Sequence, residues 1–143
     1  MKTQEFIARI DDNQVSAAIA AAERTTSGEI RVFVSENAAP DPVAEAKTQF
    51  MKLGMEKTSQ RNAVLLFFAP QSQTYAIVGD AGVDHLCGQE FWLEVTSQMR
   101  PLLHAGNYTE AIVHAVRMVG ETLARNFPRR PDDQNELPDD VAR

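Results

Sequence analysis

The sequence has little of several residue types that would point directly to a function. It has one cysteine, Cys87, three histidines and an aromatic content of 7% in 143 residues. A single cysteine cannot form a disulfide within the chain, so a disulfide-stabilised secreted fold is not predicted. The spacing of His85, His104 and His114 matches no zinc-binding pattern. We therefore expect structural roles for these four residues.

Long apolar runs and an excess of positive charge are also missing. The longest apolar run covers residues 63–69, whereas a membrane-spanning helix needs about 20 residues. Charged residues interrupt the N-terminal segment, which therefore does not resemble a signal peptide. The net charge of −6 disfavours nucleic acids and anionic membrane surfaces as partners, because both are negatively charged. We expect a cytoplasmic protein that neither binds nucleic acid nor inserts into a membrane.

The remaining composition is typical of one folded domain. Hydrophobic residues make up 43% of the chain and charged residues 24%, which suffices for a core, while the length is too short for two domains. We predict a single domain over residues 1–127. Residues 128–143 form a polar tail rich in proline and aspartate, expected to be solvated or to pack in part against the domain. The tail lacks the spaced carboxylates of an EF-hand.

Three segments have the composition of β-strands. Residues 29–34 are rich in β-branched and aromatic side chains, with alternate residues expected on one face. The continuous apolar run of residues 62–69 is typical of a central strand that is buried on both faces. Only a short polar turn separates it from a third strand, residues 74–78. The second and third strands should therefore form an antiparallel hairpin.

Four segments carry apolar residues at the spacing of an amphipathic helix. They are residues 12–24, a helix that starts at the Asp41–Pro42 pair, residues 88–100 and residues 107–126. Asp12 is the expected N-cap of the first helix, and Pro101 should end or kink the third. Asn107 and Glu110 form a capping-box-like pair at the start of the fourth.

The order of these elements predicts the architecture. A helix lies between the first two strands, so they should be parallel and joined by a right-handed crossover. The third strand should run antiparallel to the second. A central strand buried on both faces needs helices on both sides of the sheet. The predicted fold class is therefore α/β, a three-layer α/β/α sandwich around a small mixed sheet.

This topology brings acidic residues to one edge of the predicted sheet. The starts of the parallel strands and the end of the antiparallel strand share that edge, so Glu29, Asp80 and Asp84 should lie close together. Carboxylate oxygens suit a hard cation such as Ca²⁺. We predict these three residues as ligands of calcium or another divalent cation. In the alternative, Asp80 only caps the following turn and Glu29 pairs with Arg31 or Arg61.

The same segments carry a family resemblance. Residues 26–30 (Thr-Ser-Gly-Glu-Ile) open a strand, and residues 62–66 (Asn-Ala-Val-Leu-Leu) lead into a hairpin that ends Ile-Val-Gly-Asp at residues 77–80. Gly-Asn-Tyr at residues 106–108 precedes the long last helix. In order and spacing, over about residues 12–126, these segments resemble the TPM domain, named for thylakoid-lumen, photosystem-repair and receptor-modulator members. The tail resembles the ending of small stand-alone bacterial members.

The resemblance implies an α/β/α sandwich that binds a divalent metal, usually calcium. In plant members it also implies an acid-phosphatase activity. The positions that match the family's motifs are Glu29 in the turn-and-strand motif and Asp80 after the hairpin. Many members have a signal peptide and a C-terminal membrane anchor, and this chain is expected to be a form with neither.

Known phosphatase motifs do not occur in the sequence. Leu93 stands where the cysteine-phosphatase loop starting at Cys87 would need arginine, and there is no Arg-His-Gly triplet. Any phosphatase activity would therefore depend on metal-bound water. Two functions stay open on the sequence. One is a divalent-cation-binding domain with weak metal-dependent phosphatase activity. The other is a non-catalytic protein-interaction module with a structural metal or none, whose protein partner the sequence does not identify.

Overall fold

A computed structural model describes residues 1–129 and 138–142. In this part of the chain five helices and four strands follow one another, and a short 3₁₀ turn, Pro70–Ser72, joins the second strand to the third. The elements are α1 (Thr3–Ala8), α2 (Asp12–Glu23), β1 (Glu29–Val34), α3 (Pro42–Lys52), β2 (Ala63–Ala69), β3 (Thr74–Gly79), α4 (Ala81–His104), α5 (Tyr108–Asn126) and β4 (Val141–Ala142).

The four strands form one mixed sheet in the order β3-β2-β1-β4. β1 runs parallel to β2, with Glu29 opposite Ala63, and β3 runs antiparallel to β2. All seven residues of β2 are buried, as its continuous apolar sequence predicts. The predicted parallel pair, hairpin and central strand are therefore confirmed. The sequence did not predict β4, which adds two residues in parallel to the outer edge of β1.

Helices cover both faces of the sheet, so the three-layer sandwich is also confirmed. The larger core joins the alternate β1 residues Ile30, Val32 and Val34 to apolar residues of α1, α2, α4 and α5. The smaller core lies on the opposite face, where α3 contributes Ala46 and Phe50. In the described part of the chain, no helix is both long enough and apolar enough to cross a membrane.

Two predicted caps differ from the structure. Asp11, not Asp12, caps α2, because the Asp11 side chain accepts a hydrogen bond from the backbone N–H of Gln14. Asn107 precedes α5 but makes no side-chain capping hydrogen bond, so the predicted capping box is wrong. Asp41 caps α3 as expected, accepting from the N–H of Ala44.

The helix predicted over residues 88–100 is α4, which begins at Ala81, seven residues earlier than predicted. Asp80 caps it through the N–H of Ala81, and the backbone leaves the helical conformation at Gly88, where φ is 73° and ψ is 175°. Pro101 lies inside the helix and does not end it. Gly82 and Gly88 lie in this first part of the helix and have no side chains, so the apolar spacing of a helix is interrupted there in the sequence.

Both described parts of the C-terminal segment pack on the domain. Phe127 and Pro128 pair with the turn after α2, where Ser27 N–H donates to the carbonyl of Phe127 at 2.9 Å. β4 then joins the sheet through Val141 and Ala142. The intervening residues of the predicted tail, 130–137, lie outside the described residues.

Candidate functional site

The three predicted site residues have their backbones close to the end of the sheet where β1 and β2 begin and β3 ends. Glu29 begins β1 opposite Ala63, and the backbone N–H of Asp80 donates to the carbonyl of the same Ala63 at 2.9 Å. Asp84 follows in the first turn of α4. The sheet topology therefore brings these backbone positions together as expected, but their side chains make separate contacts.

Asp80 has two structural partners. Its carboxylate receives two hydrogen bonds from Arg61, from Nε at 2.7 Å and from Nη2 at 2.8 Å. One of its oxygens also accepts from the N–H of Ala81, which caps α4. The carboxylate is buried, whereas half of the Arg61 side chain is exposed. Asp80 therefore caps the start of α4, as the alternative predicts, but it also binds Arg61, which the alternative offered as a partner of Glu29.

Asp84 contacts the aromatic side of α4. Its Oδ1 accepts a hydrogen bond from the indole Nε1 of Trp92 at 3.0 Å, across the break at Gly88. The nearby Cys87 thiol is half-buried, and burial together with the charge of Asp84 raises its pKa. A thiol with a raised pKa is a poor nucleophile at neutral pH, which agrees with the structural role predicted for Cys87.

Glu29 lies in a buried contact with a second glutamate. Its side chain is 2% exposed and lies beside that of Glu23, the last residue of α2, which is 5% exposed. Oε2 of Glu23 accepts from the backbone N–H of Ile30 at 2.8 Å. Oε1 of Glu23 is buried, and no donor among the described residues reaches it.

Asp139, just before β4, completes this group because its side chain also lies beside that of Glu23. We call Glu23, Glu29 and Asp139 the carboxyl cluster. The pKa of Glu23 is raised from 4.5 to about 10, first by burial and then by the contacts with Asp139 and Glu29, against the opposing effect of the Ile30 N–H. At neutral pH the Glu23 carboxyl therefore holds a proton.

The short length of β4 explains why a glutamate occupies this position. β4 pairs with Val32 and Phe33, and no described residue pairs as a strand with Ile30 at the outer edge of β1. The Glu23 carboxyl takes the place of a strand partner there. The turn after α2 holds it there, and Gly28 of that turn has no room for a side chain, since a Cβ would lie 2.9 Å from Leu123 Cδ1.

The helical spacing of the sequence contains a signal that Glu23 is buried, which the predicted site did not include. Glu23 continues the four-residue spacing of Val15 and Ile19, the two fully buried apolar residues of α2. A glutamate on the buried stripe of a helix is rare, because burial of a carboxylate is costly. Asp139 has no comparable signal, since it precedes a strand of only two residues.

The arrangement of side chains does not yet form a closed metal site. Among residues 1–129 and 138–142, no three Asp, Glu, His or Cys side chains are placed to hold a metal ion together. The roles of Glu29, Asp80 and Asp84 as joint ligands, and of calcium as their cofactor, therefore stay predictions. What the fold brings together is a buried carboxyl cluster in which the pKa of Glu23 is raised.

Comparison with known proteins identifies the family. The family model of the TPM domain matches residues 1–122. The NMR structure of the BA42 protein from the psychrophilic bacterium Bizionia argentinensis is similar in fold, with a TM-score of 0.84 and 31% sequence identity over 92% of this chain and 90% of BA42. No curated protein matches the chain. The match to the family model covers most of the sequence, and the chain belongs to the TPM domain family.

Proposed function

We propose that this TPM domain binds one divalent cation, with calcium as the first candidate, at the carboxyl cluster. The observation that supports the proposal is the buried contact between Glu23 and Glu29, two acidic side chains that are each at least nine-tenths buried. Two carboxylates cannot both be charged in such a place without a compensating positive charge. A divalent cation bound between them would supply such a charge.

The donor type suits a hard cation, although the three side chains would have to move closer to hold one together. Every side chain of the cluster offers carboxyl oxygens, the ligand type that Ca²⁺ and Mg²⁺ take in proteins. Oε1 of Glu23, which has no donor, is available as a ligand without breaking a hydrogen bond. Because metal ligands must be deprotonated, cation binding would release the proton that Glu23 holds. The affinity should therefore increase with pH.

This proposal keeps Glu29 from the predicted ligand set and adds Glu23 and Asp139. Asp80 and Asp84 would have to leave Arg61 and Trp92 before they could serve as ligands. An ion pair with a buried carboxylate is costly to break, because one charge is left without a partner. Glu23 needs only to lose a proton.

The test is a calcium titration followed by ¹H–¹⁵N NMR and by the melting temperature, in the wild type and in Glu23→Gln and Glu29→Gln. Glutamine has the size of a protonated glutamate but cannot become a carboxylate. We expect calcium to raise the melting temperature of the wild type and to shift the amides of residues 23–30. Each variant should lose at least about tenfold in affinity.

Asp84→Asn and Asp80→Asn are the matched controls, since asparagine retains the size of aspartate and a capping side chain at position 80. The proposal predicts a wild-type calcium response in both. If Asp80→Asn and Asp84→Asn abolish the response while Glu23→Gln retains it, the ligands are the predicted set of Glu29, Asp80 and Asp84 instead. If millimolar calcium produces no response in the wild type, the cluster is a purely structural proton-sharing group, and the non-catalytic interaction module becomes the preferred function.

Metal-dependent phosphatase activity is a separate prediction that rests on the family resemblance. The sequence offers no covalent nucleophile motif, so the reaction would need a metal-bound water beside the phosphate. A phosphomonoester assay with calcium or magnesium tests this activity. Glu23→Gln and Asp80→Ala are the variants expected to lower it. Activity that neither substitution lowers would contradict a role for these residues in catalysis.

A further inference from the structure

The outer edge of β3 is open in the part of the chain that the structure describes. β3 is the terminal strand on its side of the sheet and has only β2 as a neighbour. In an antiparallel pair, every second residue forms backbone hydrogen bonds with the neighbouring strand. The hydrogen bond from Asp80 N–H to the carbonyl of Ala63 sets this alternation, so Ala76 and Val78 bond to β2. The N–H and C=O groups of Tyr75 and Ile77 therefore point away from the sheet. No other described group hydrogen-bonds with them.

This edge has none of the features that usually prevent strand pairing. Its sequence, Thr-Tyr-Ala-Ile-Val-Gly, contains no charged residue and no proline, and its register with β2 has no bulge. The opposite edge of the sheet is different, because β4 has only two residues. Natural sheets protect a long regular edge with lysine, proline, a bulge or a covering helix or loop. The β3 edge is therefore built as a template for one more strand.

Exposed apolar side chains flank the edge. A groove of about 420 Å³ runs along β3 between the start of α3 and the middle of α4. Val43 of α3 and Leu93 of α4 line it and are 48% and 60% exposed. In strand addition, backbone hydrogen bonds supply affinity, and alternate side chains of the added strand pack into the flanking surface. Val43 and Leu93 are placed to receive those side chains.

The charge of the groove favours an acidic occupant. The chain as a whole carries −6, yet no described acidic residue lines this groove. Arg100 lies in its wall, is exposed, and forms no ion pair with any described residue. His104, one helical turn further on, lies beside Thr74 and Tyr75 at the start of β3. An acidic group bound near the Thr74 end would meet Arg100 without a competing carboxylate.

We propose that this β3-edge groove binds an extended peptide segment of a partner protein by strand addition to β3. An acidic side chain or terminal carboxylate of the peptide pairs with Arg100, and apolar side chains of the peptide pack on Leu93 and Val43. The proposal is independent of cation binding, since the groove and the carboxyl cluster lie at opposite edges of the sheet.

The experiment uses the full chain and an acetylated and C-terminally amidated heptapeptide of alternating threonine and valine that ends in glutamate, so that the glutamate side chain is its only carboxylate. Amide hydrogen exchange is measured by NMR at peptide concentrations on the order of 1 mM. We expect exchange at Tyr75 and Ile77 to slow by about tenfold or more, because their N–H groups gain a strand partner. Exchange at Ala76 and Val78, which already bond to β2, should not change.

Three surface variants separate the groove from non-specific apolar binding. Leu93→Glu should weaken peptide binding at least tenfold, and Arg100→Glu should weaken it for the glutamate peptide but not for a peptide that ends in lysine. Met51→Glu is the control, because Met51 is 59% exposed and lies outside the groove. These side chains are on the surface, so the variants should fold normally.

Three results would overturn the proposal. One is the absence of any slowing at Tyr75 and Ile77 with the peptide. A second is an equal loss of binding in Met51→Glu and Leu93→Glu, which would mean non-specific adsorption. A third is protection of the same two amides that rises with protein concentration and needs no peptide, which would assign the edge to a second copy of this chain.

Discussion

At the residue scale, Glu23 is an acidic residue in an environment with little access to water. A carboxyl on the buried stripe of α2 accepts from the N–H of Ile30 and contacts two further acidic side chains, Glu29 and Asp139. The raised pKa follows from this position: removal of water disfavours the charged form first, and the neighbouring carboxyls add to the effect. The cluster thus stores a proton inside the fold at neutral pH.

This stored proton predicts how stability depends on pH. In the unfolded chain Glu23 ionises near pH 4.5, whereas in the folded chain it holds its proton to about pH 10. The folded state binds more protons between these values, so the contribution of Glu23 is complete below pH 4.5 and is lost as the pH rises towards 10. The Gln side chain in Glu23→Gln cannot ionise. The substitution should therefore remove up to about 1.4 kcal/mol per pH unit from the decrease of the free energy of unfolding with pH.

Urea denaturation of the wild type and Glu23→Gln at pH 5, 7 and 9 measures this effect. The two free energies of unfolding should diverge as the pH rises, with the variant the more stable at pH 9. Asp84→Asn is the control, since Asp84 is exposed and its profile should follow that of the wild type. Parallel profiles for Glu23→Gln and the wild type would show that Glu23 ionises normally in the folded protein.

At the scale of single elements, the break in α4 has a backbone cause that can be tested. Gly88 has φ 73° and ψ 175°, a region that residues with a side chain rarely adopt. A Cβ at Gly88 would contact nothing within 4 Å, so any loss of stability in Gly88→Ala comes from the backbone alone. We expect Gly88→Ala to lower the free energy of unfolding by about 1–3 kcal/mol.

Denaturation by urea measures this loss against Glu90→Ala, a neighbouring exposed position where the change should be within about 0.5 kcal/mol. Equal stability of Gly88→Ala and the wild type would mean that α4 can continue through residue 88 without a break.

The fourth strand provides a second test at this scale. A chain that ends after Arg129 lacks β4, which pairs with Val32 and Phe33 and places Ala142 in the smaller core. We expect the truncated chain to lose about 2–4 kcal/mol of stability, from the lost ladder and the exposed apolar surface. A chain that ends after Ala142 is the control and should unfold like the wild type. An unchanged melting temperature after truncation at Arg129 would show that β4 does not stabilise the domain.

The same elements show which parts of the fold a sequence can predict. β1, β2 and α5 have strong periodicity or composition, and their bounds were predicted to within one residue, as was the start of α3 at the Asp41–Pro42 pair. β4 and α1 are too short for periodicity, and α4 is interrupted by glycine, so tertiary contacts decide all three. The meeting of Glu29 and Asp80 at one end of the sheet was predicted from topology. The partners of each side chain were not, because they depend on rotamers and packing that the spacing of residues in the sequence does not determine.

At the scale of the whole molecule, the two edges of the sheet differ in chemistry. The β1 edge is closed by a carboxyl cluster and the short β4, with Arg129 donating to the carbonyl of Glu23 at 3.0 Å. The β3 edge is apolar, open and lined by Arg100. A cation at the first edge would tie Asp139 to α2 and β1, and so join the C-terminal segment to the sheet. Such a division suits a TPM domain that binds one ligand at each edge.

Calcium titration calorimetry in two buffers of different ionisation enthalpy, at pH 7, tests the central claim most directly. The dependence of the observed heat on the buffer gives the number of protons released. Our account predicts that the wild type binds calcium with release of about one proton, and that Glu23→Gln releases none. Calcium binding to the wild type without proton release would place the cation away from Glu23 and contradict the account.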